Sequence, residues 1–434
     1  MLSSLYAGIS GLNVYGNAMS VIGDNIANVN TVGFKGAEAT FADLYTMALT
    51  NSAVGSVQVG RGARLSSVHK QFTQGALETT GVATDMAIQG DGFFIVRDTL
   101  GAYYSRNGHF IIDKDSRLVN PEGYAVQGWT LNRNTGIPIG PAGDIVFDTS
   151  AVPATTTQSA SVAVNLDSDA TIIPGAFDAT TVTTANNTSN YNTSFAVYDS
   201  LGNAHMVTVY FKKTAASAWS WYACVDENEI TLAQRTPGTD LEIEASGTLS
   251  FTLNGELDNE VTIGSDFDFD GATQNQSITF DFGTSITGDG GDGLDGTTQF
   301  AGTSTTYMLT QDGYAAGLLT GIIVDSEGII SGTFSNGQTQ NLAQIALARF
   351  PSPWGLKSVG NNLFVESNDS GQPIVNAPGG SGMGTIASTS LEMSNVDLAA
   401  EFVDMIRMQQ AFTANSKVIM TTDQMLTDVV NLKR

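Results

Sequence analysis

The chain has 434 residues, 43 of them Asp or Glu against 18 Lys or Arg, for a formal net charge of −25, and it carries one cysteine and three histidines. So acidic a balance offers no basic surface for nucleic acid or anionic lipid, and Cys224 alone excludes an internal disulfide framework or a thiolate-built metal cluster. A hydrophobic fraction of 41% supports packed cores, charged residues at 14% leave the surface to Thr, Ser, Asn, Gln and Gly, and no apolar run reaches the roughly 18 residues of a membrane span.

Leu2, Leu5, Ile9, Leu12, Met19, Ile22, Ile26 and Val29 follow steps that sum to threes and fours and predict an amphipathic helix. Asp24 is its only charge. The start lacks a basic n-region and a continuous apolar core, so it does not read as a cleavable secretory signal. The helix ends in Asn28-Val29-Asn30-Thr31-Val32-Gly33-Phe34, where two asparagines and a glycine tolerate turn or left-handed backbone. Phe34 and Phe41 are expected to anchor the departing chain. These features divide off residues 1–35 as helix and turn, and 36–80 as an irregular, glycine-containing connection.

Strand and turn patterns follow. In 81–144 the runs Phe93–Val96, Ala102–Tyr104, His109–Ile112 and Tyr124–Trp129 are separated by Asp91-Gly92, Asn107-Gly108 and Pro121-Glu122-Gly123. The spacing recurs in 305–385, with Asp312-Gly313, Glu327-Gly328 and Asn336-Gly337. Residues 145–304 differ: between 160 and 300 there are 20 acidic and three basic side chains. Alternation in Val207, Val209 and Phe211 and in Ile278, Phe280 and Phe282 predicts an acidic all-β domain inserted into another, kept solvated by its charge.

In 386–434, Ser394 and Asp397 give an S-x-x-D helix start. Leu398, Phe402, Met405, Phe412, Ile419, Leu426 and Val430 then fit alternating steps, with Gln409, Ser416 and Asp423 in the remaining slots. A seam of about five heptads reads as coiled-coil material. The expected fold is therefore mainly β with terminal α-helices: nested β modules, a discontinuous middle domain with an inserted outer one, flanked by N- and C-terminal coiled-coil-forming helices. Each helix is expected to bury the other's stripe, within one molecule or between neighbours. A stripe with so little charge cannot alone offset an ordering cost of about 1–2 kcal/mol per residue. The ends of a lone chain are therefore expected to be disordered.

No catalytic constellation, cofactor site or metal site is expected. Asp289, Asp292 and Asp295 match one glycine-rich calcium nonapeptide, an architecture that draws its ligands from stacked copies, and a single copy reads as a loop. The glycines of 379–384 lack a following GKS or GKT, and the histidines are scattered singly.

Asn25-Ile-Ala-Asn-Val-Asn-Thr-Val-Gly-Phe-Lys35 resembles the signature of bacterial flagellar rod and hook proteins, with Asn25, Asn28, Asn30, Thr31, Gly33 and Phe34 at the signature positions. Gln89-Gly-Asp-Gly-Phe-Phe-Ile-Val96, Tyr104–Phe110, Thr310–Gly317 and Phe334–Gln338 are similar to that family's β module. Glu401–Lys417 is similar to its terminal motif. The resemblance covers about 1–140 and 305–434. A large insert marks the hook members, so it implies a non-enzymatic subunit of a flexible hollow tube that transmits motor torque as a universal joint between rod and filament. Leu2, Leu5, Ile9, Leu12, Met19, Ile22, Ile26, Leu398, Phe402, Met405, Phe412, Ile419 and Leu426 would then be assembly residues. The implied partners are further copies of the chain, the hook cap, distal rod and hook–filament junction proteins, and the flagellar type III export apparatus, with no nucleic acid and no membrane insertion. The implied place is the basal body and hook, outside the cell. The alternatives are a distal rod protein or, from another class, a secreted calcium-dependent adhesin.

Overall fold

A computed structural model describes residues 2–44, 47–52, 55–132, 135–147 and 151–431, with the side chains of 2, 3, 47–52 and 55–59 outside the description. Helix α1 spans Leu2–Ala27, the short α2 Val182–Thr188 and α3 Leu398–Asn431; nearly everything between them is strand and turn. The chain forms two compact units. One comprises Met1–Thr149, Gly321–Thr333 and Thr339–Arg434, and the other comprises Ser150–Thr320 and Phe334–Gln338.

In the first unit, segments more than 200 residues apart pair as neighbours. Phe93–Asp98 lies antiparallel to Leu347–Arg349, Gly101–Ser105 to Leu363–Val365, Met86–Gln89 to Thr385–Ser388, and Leu77–Thr79 to Ser390–Glu392. Phe93, Ile95, Tyr104, Ala346, Phe350 and Phe364 form a core between them. The Tyr104 and Phe350 rings meet edge to face at 4.7 Å, the preferred arrangement of aromatic quadrupoles. Burial pushes the Tyr104 hydroxyl up to about 12.

Three expectations change here. Residues 36–80 are not irregular: Ala37–Asp43 pairs with Ala63–Lys70, and Met47–Ser52 with Gly55–Val59. Strand Thr305–Gln311, expected in the second half of the middle module, pairs instead with Ser159–Asn165 in the second unit. Of Asn28, Asn30 and Gly33, only Gly33 has positive φ, +70°. A Cβ there would lie 2.6 Å from the Asn107 nitrogen, so the turn admits only glycine.

In the second unit, Tyr191–Tyr198, Ala204–Ala215, Ala218–Asp226, Leu241–Phe251, Leu257–Phe267 and Gln276–Ser277 form a six-stranded antiparallel meander. A smaller sheet has Ser159–Asn165 between Thr279–Asp281 and Thr305–Gln311. Val162, Val164, Phe211, Trp219, Trp221 and Phe282 are among the buried residues of their shared core. Trp221 stacks obliquely on Phe280 and Phe282, each centroid 5.0 Å away. Gly247 makes room, because a Cβ there would come within 2.5 Å of the Trp221 Nε1. Helix α2, capped reciprocally by Thr181 and Thr184, places Ala185 against Tyr210, Cys224 and Leu241 in a second, smaller cluster. Burial there pushes the Cys224 thiol up. The acidic loop is self-satisfied: the Asp295 carboxylate accepts from the Thr284 backbone at 2.9 Å and from its hydroxyl. Asp289 accepts from the Ser285 backbone and hydroxyl at 3.0 and 2.8 Å.

Burial, with Asp268 and Glu242 nearby, pushes the Glu244 carboxyl up to about 7. Burial, reinforced by Asp281 and Asp289 and opposed by the Phe282 N–H, brings Glu260 to about 6. Between the ordinary carboxyl value of 4.5 and these raised values, the folded unit holds protons that the unfolded chain has released. Its stability therefore falls as pH rises through that window. The thermal midpoint of the transition reported by Trp219 and Trp221 should be lower at pH 8 than at pH 5. Glu244→Gln with Glu260→Gln should flatten that slope, as fluorescence melts across the pH range will show.

Candidate functional site

The two terminal helices pack on each other through small side chains. On α1 the buried positions are Gly8, Gly11, Val14, Ala18, Ile22 and Asn25, a continuous three-and-four stripe. A Cβ on Gly8 would lie 3.0 Å from Ile419, and one on Gly11 would lie 2.7 Å from the Asn415 side chain. The two glycines thus set how closely α3 approaches. The least exposed positions of α3 beyond its first turns are Met408, Ala411, Asn415, Ser416, Ile419, Thr422 and Leu426, again along one face. The helices are ordered and paired in a single chain, which corrects the expectation that each end lacks a partner there. The small-residue face supplies that partner at short range.

Val14, Ile22, Met408, Ile419 and Leu426 share that face, but most of the other large apolar side chains lie off it. Leu5, Leu12, Met19 and Ile26 are half-buried and Ile9 is exposed, while Ile22 alone of the predicted α1 stripe is buried. The side chain of Leu2 falls outside the described residues. On α3, Met405, Ile419 and Leu426 are half-buried, whereas Leu398, Phe402 and Phe412 are 41%, 48% and 38% exposed. Ile406 adds to them, so that Leu398, Phe402 and Ile406 form an exposed ridge at every fourth residue. The start signal of α3 also shifts: Asp397 itself caps the helix, accepting from Ala399 N at 2.8 Å and Ala400 N at 3.3 Å.

Both helices leave from one buried polar cluster. The Glu392 side chain is fully buried, and its Oε1 accepts from the Lys35 Nζ at 2.6 Å and the Gly75 N–H at 2.8 Å. Its Oε2 accepts from Arg106 at 3.3 Å, and its carbonyl accepts from the Gly33 N–H at 2.7 Å. Lys35 also donates to the Thr73 carbonyl and Arg106 to the Gly90 carbonyl. Burial lowers both cations' proton affinity, and Glu392 opposes the shift. Beside this cluster, Asn25 Nδ2 donates to the Ala37 carbonyl and to Glu401 Oε1, each at 2.8 Å, while its Oδ1 accepts from Ala37 N. One side chain thus joins the end of α1, the first strand and the start of α3. Asn395, just ahead of α3, ties together the two chain segments beside it, accepting from Gly36 N and donating to Gln71 and Thr73.

The structure gives the predicted signature residues distinct tasks. Asn25 is the buried joint. Asn28 closes the helix end, its Nδ2 donating to the Asp24 carbonyl at 2.9 Å, and Thr31 donates to Asn28 at 3.1 Å. Phe34 is buried, with the Lys70 ammonium 4.3 Å from its ring centroid; Asn30 is exposed. Phe41 is 40% exposed and meets Tyr15 edge-on at 6.0 Å. Sequence reasoning missed Arg106 and Glu392, whose only local signal is a charge within an otherwise uncharged stretch. It also missed the small face, visible only as the spacing of Gly8, Gly11 and Ala18. Among the described residues, no group of three or more His, Cys, Asp or Glu is placed to hold a metal ion, and no helix is long and apolar enough to cross a membrane.

Comparison with known proteins matches successive parts of the chain to flagellar families. Residues 5–35 match the flagella basal body rod protein family, 87–172 the flagellar hook protein FlgE/F/G D1 domain, 165–314 the flagellar basal body protein FlaE D2 domain, and 387–432 the flagellar basal body rod FlgEFG protein C-terminal family. The flagellar hook protein FlgE of Borreliella burgdorferi is 36% identical over 457 residues and that of Treponema pallidum 35% over 476, each alignment covering 100% of both chains. The Escherichia coli FlgE is 35% identical over 434 residues, covering 98% of each chain. The crystal structure of Helicobacter pylori flagellar hook protein FlgE2 shares the fold with a TM-score of 0.50 at 14% identity, covering 73% of this chain and 100% of that one.

Removing the shared carboxylate leaves two buried cations facing each other, so Glu392→Gln should lower the unfolding free energy by about 3–5 kcal/mol. Exposed Asn30→Ala should change it by less than about 0.5 kcal/mol; urea titration distinguishes the two. Gly11→Val should push the helices apart and make α1 and α3 more sensitive to protease than in the parent chain.

Proposed function

This chain belongs to the flagellar hook protein family, and we propose that its paired terminal helices are the surface through which it polymerises. It is a structural subunit of the bacterial flagellar hook, located outside the cell, in a family of structural proteins rather than enzymes. Its copies associate with one another in the hook.

The observation that carries the assembly reading is the ridge of large apolar side chains left exposed on helices already paired through their small residues. Exposed apolar rows of this kind mark interaction surfaces. Each ridge residue is about half covered, so burying the rest returns about 1 kcal/mol per side chain. Pairwise association costs about 4–15 kcal/mol in lost freedom. One neighbour is therefore too few, and several neighbours meeting one helix pair are enough, which makes growth cooperative. Leu5, Ile9, Leu12, Met19 and Ile26 on α1, with Leu398, Phe402, Met405 and Phe412 on α3, are the assembly residues in this reading. Ile22, Ile419 and Leu426 act mainly within the subunit. Leu2 is assigned to the assembly face on its sequence position alone.

Such a wall of helices would line a tube, with weakly charged faces suited to the passage of unfolded chains. The β units would make outer contacts that slide as the tube bends while transmitting torque, a shear between neighbours. In this reading the functional parts are 1–35 and 386–434 as axial segments, 36–80 as their connector, 81–149 with 321–333 and 339–385 as the middle domain, and 150–320 with 334–338 as the outer domain. Hook cap, distal rod and junction proteins meet the ends of the polymer, and the flagellar type III apparatus exports the chain.

Phe402→Asp places a charge on the ridge without entering a core. It should raise the critical concentration for polymerisation by about tenfold or more while leaving the melting temperature of the unpolymerised chain within about 2 °C. Sedimentation and calorimetry read the two effects separately. Equal losses in both would mean that Phe402 supports the subunit rather than the polymer.

A further inference from the structure

A groove of about 690 Å³ opens where α1, α3 and the strand Ala37–Asp43 converge. Its lining includes the apolar Val21, Ile22, Phe41 and Met408 and the acids Glu38, Asp397, Glu401 and Asp404, with no lysine or arginine. Three of those carboxylates face one another: Asp404 and Glu38 both raise the Glu401 carboxyl in addition to its burial. Glu38 is met by the neutral amide of Gln71 and Glu401 by that of Asn25. Asp404 pairs with Arg407 one turn on, at a largely exposed contact of little strength. The groove therefore combines apolar side chains with an excess of negative charge.

The far end of α3 has the complementary character. Met425, Val429 and Val430 are 58%, 50% and 68% exposed, and the sequence continues from Asn431 into Leu432-Lys433-Arg434, against a single acid, Asp428, in the last ten residues. Apolar side chains followed by two cations match a lining that is part apolar and otherwise acidic. The match cannot be made within one chain, because Asp404 and Val430 lie 26 residues apart on one helix, about 39 Å at 1.5 Å per residue.

We propose that this groove receives the last two turns of α3, with Lys433 and Arg434, from a second copy of the chain. The contact is head to tail: the tip of one helix pair sits at the root of the next. Because the surfaces are different patches on the same molecule, the contact is heterologous and propagates along a row instead of closing a dimer. It deepens the polymerisation reading above and rests on it. The apolar ridge would hold subunits side by side, and the root groove would set their axial step at about the length of α1, roughly 39 Å for 26 residues.

Charge exchange in the full chain tests this. Glu38→Lys with Asp404→Lys, and separately Lys433→Glu with Arg434→Glu, should each raise the critical concentration for polymerisation about tenfold, with helical circular dichroism unchanged. Combining all four should return it to within about threefold of the parent, because the charges are exchanged and the pairing restored. An equimolar mixture of Asp404→Cys and Val430→Cys chains should form a disulfide between chains under mild oxidation when polymerised, and neither variant should do so alone. If the parent chain forms no polymer, the assembly reading itself fails. If the parent polymerises but the charge pairs have no effect, or the combination is no better than either half, this inference alone is overturned. Impaired assembly without the 404–430 disulfide also overturns it, by giving the groove a different occupant.

Discussion

A single carboxylate organises the root of this molecule. Glu392 comes at the end of the last strand before α3 and lies fully buried between Lys35, which follows the turn after α1, and Arg106 from the β module. Ions so placed have lost their water, and only mutual attraction and well-aimed hydrogen bonds offset that loss. Any displacement of one group exposes the others to an uncompensated charge. The arrangement is therefore poorly tolerant of drift, and it lies between the end of α1 at Ala27 and the start of α3 at Leu398. Asn25 and Asn395 extend the same logic with neutral amides, each bonded to backbone from a different part of the chain. The consequence is directional: the helix pair leaves the β part from a fixed polar joint, which any structure transmitting torque through its subunits requires.

Beyond that joint, the helices divide their surfaces by side-chain size. Gly8, Gly11 and Ala18 allow close approach within the chain, while Leu398, Phe402 and Ile406 stay outside it. The glycines let the backbones come close, so the pair forms with only part of its large apolar surface, Val14, Ile22, Met408, Ile419 and Leu426. In the proposed assembly, internal order and external association would draw largely on different faces of the same two helices. A helix whose large side chains were all spent on its intramolecular partner would have nothing left to offer a neighbour.

The acidic sandwich follows a different rule. Its stability rests on a dense aromatic core around Trp219, Trp221, Phe267 and Phe280, and its charge lies mostly on the outside. Asp199, Glu242 and Asp268 are buried, and at the half-buried Glu244 and Glu260 burial pushes the carboxyls up to about 7 and about 6. The unit is thus folded by its core and kept soluble by its surface.

The sequence alone determined the element types, the nested order, the acidic interior insert and the family, because periodicity, turn dipeptides and a signature around Asn25–Lys35 are local properties. It also located the amphipathic helices and the large apolar residues on them. Which face those residues occupy was decided only in three dimensions. A hydrophobic stripe shows where burial is favourable, but a close contact between helices is limited by volume, and volume selects glycine and alanine. The extent of strand in 36–80 and the allegiance of Thr305–Gln311 also waited for the fold, since pairing partners lie far along the chain. Glu392 and Arg106 were invisible for the same reason: they stand 357 and 286 residues from their partners, and a charge acquires meaning only when folding removes the water around it.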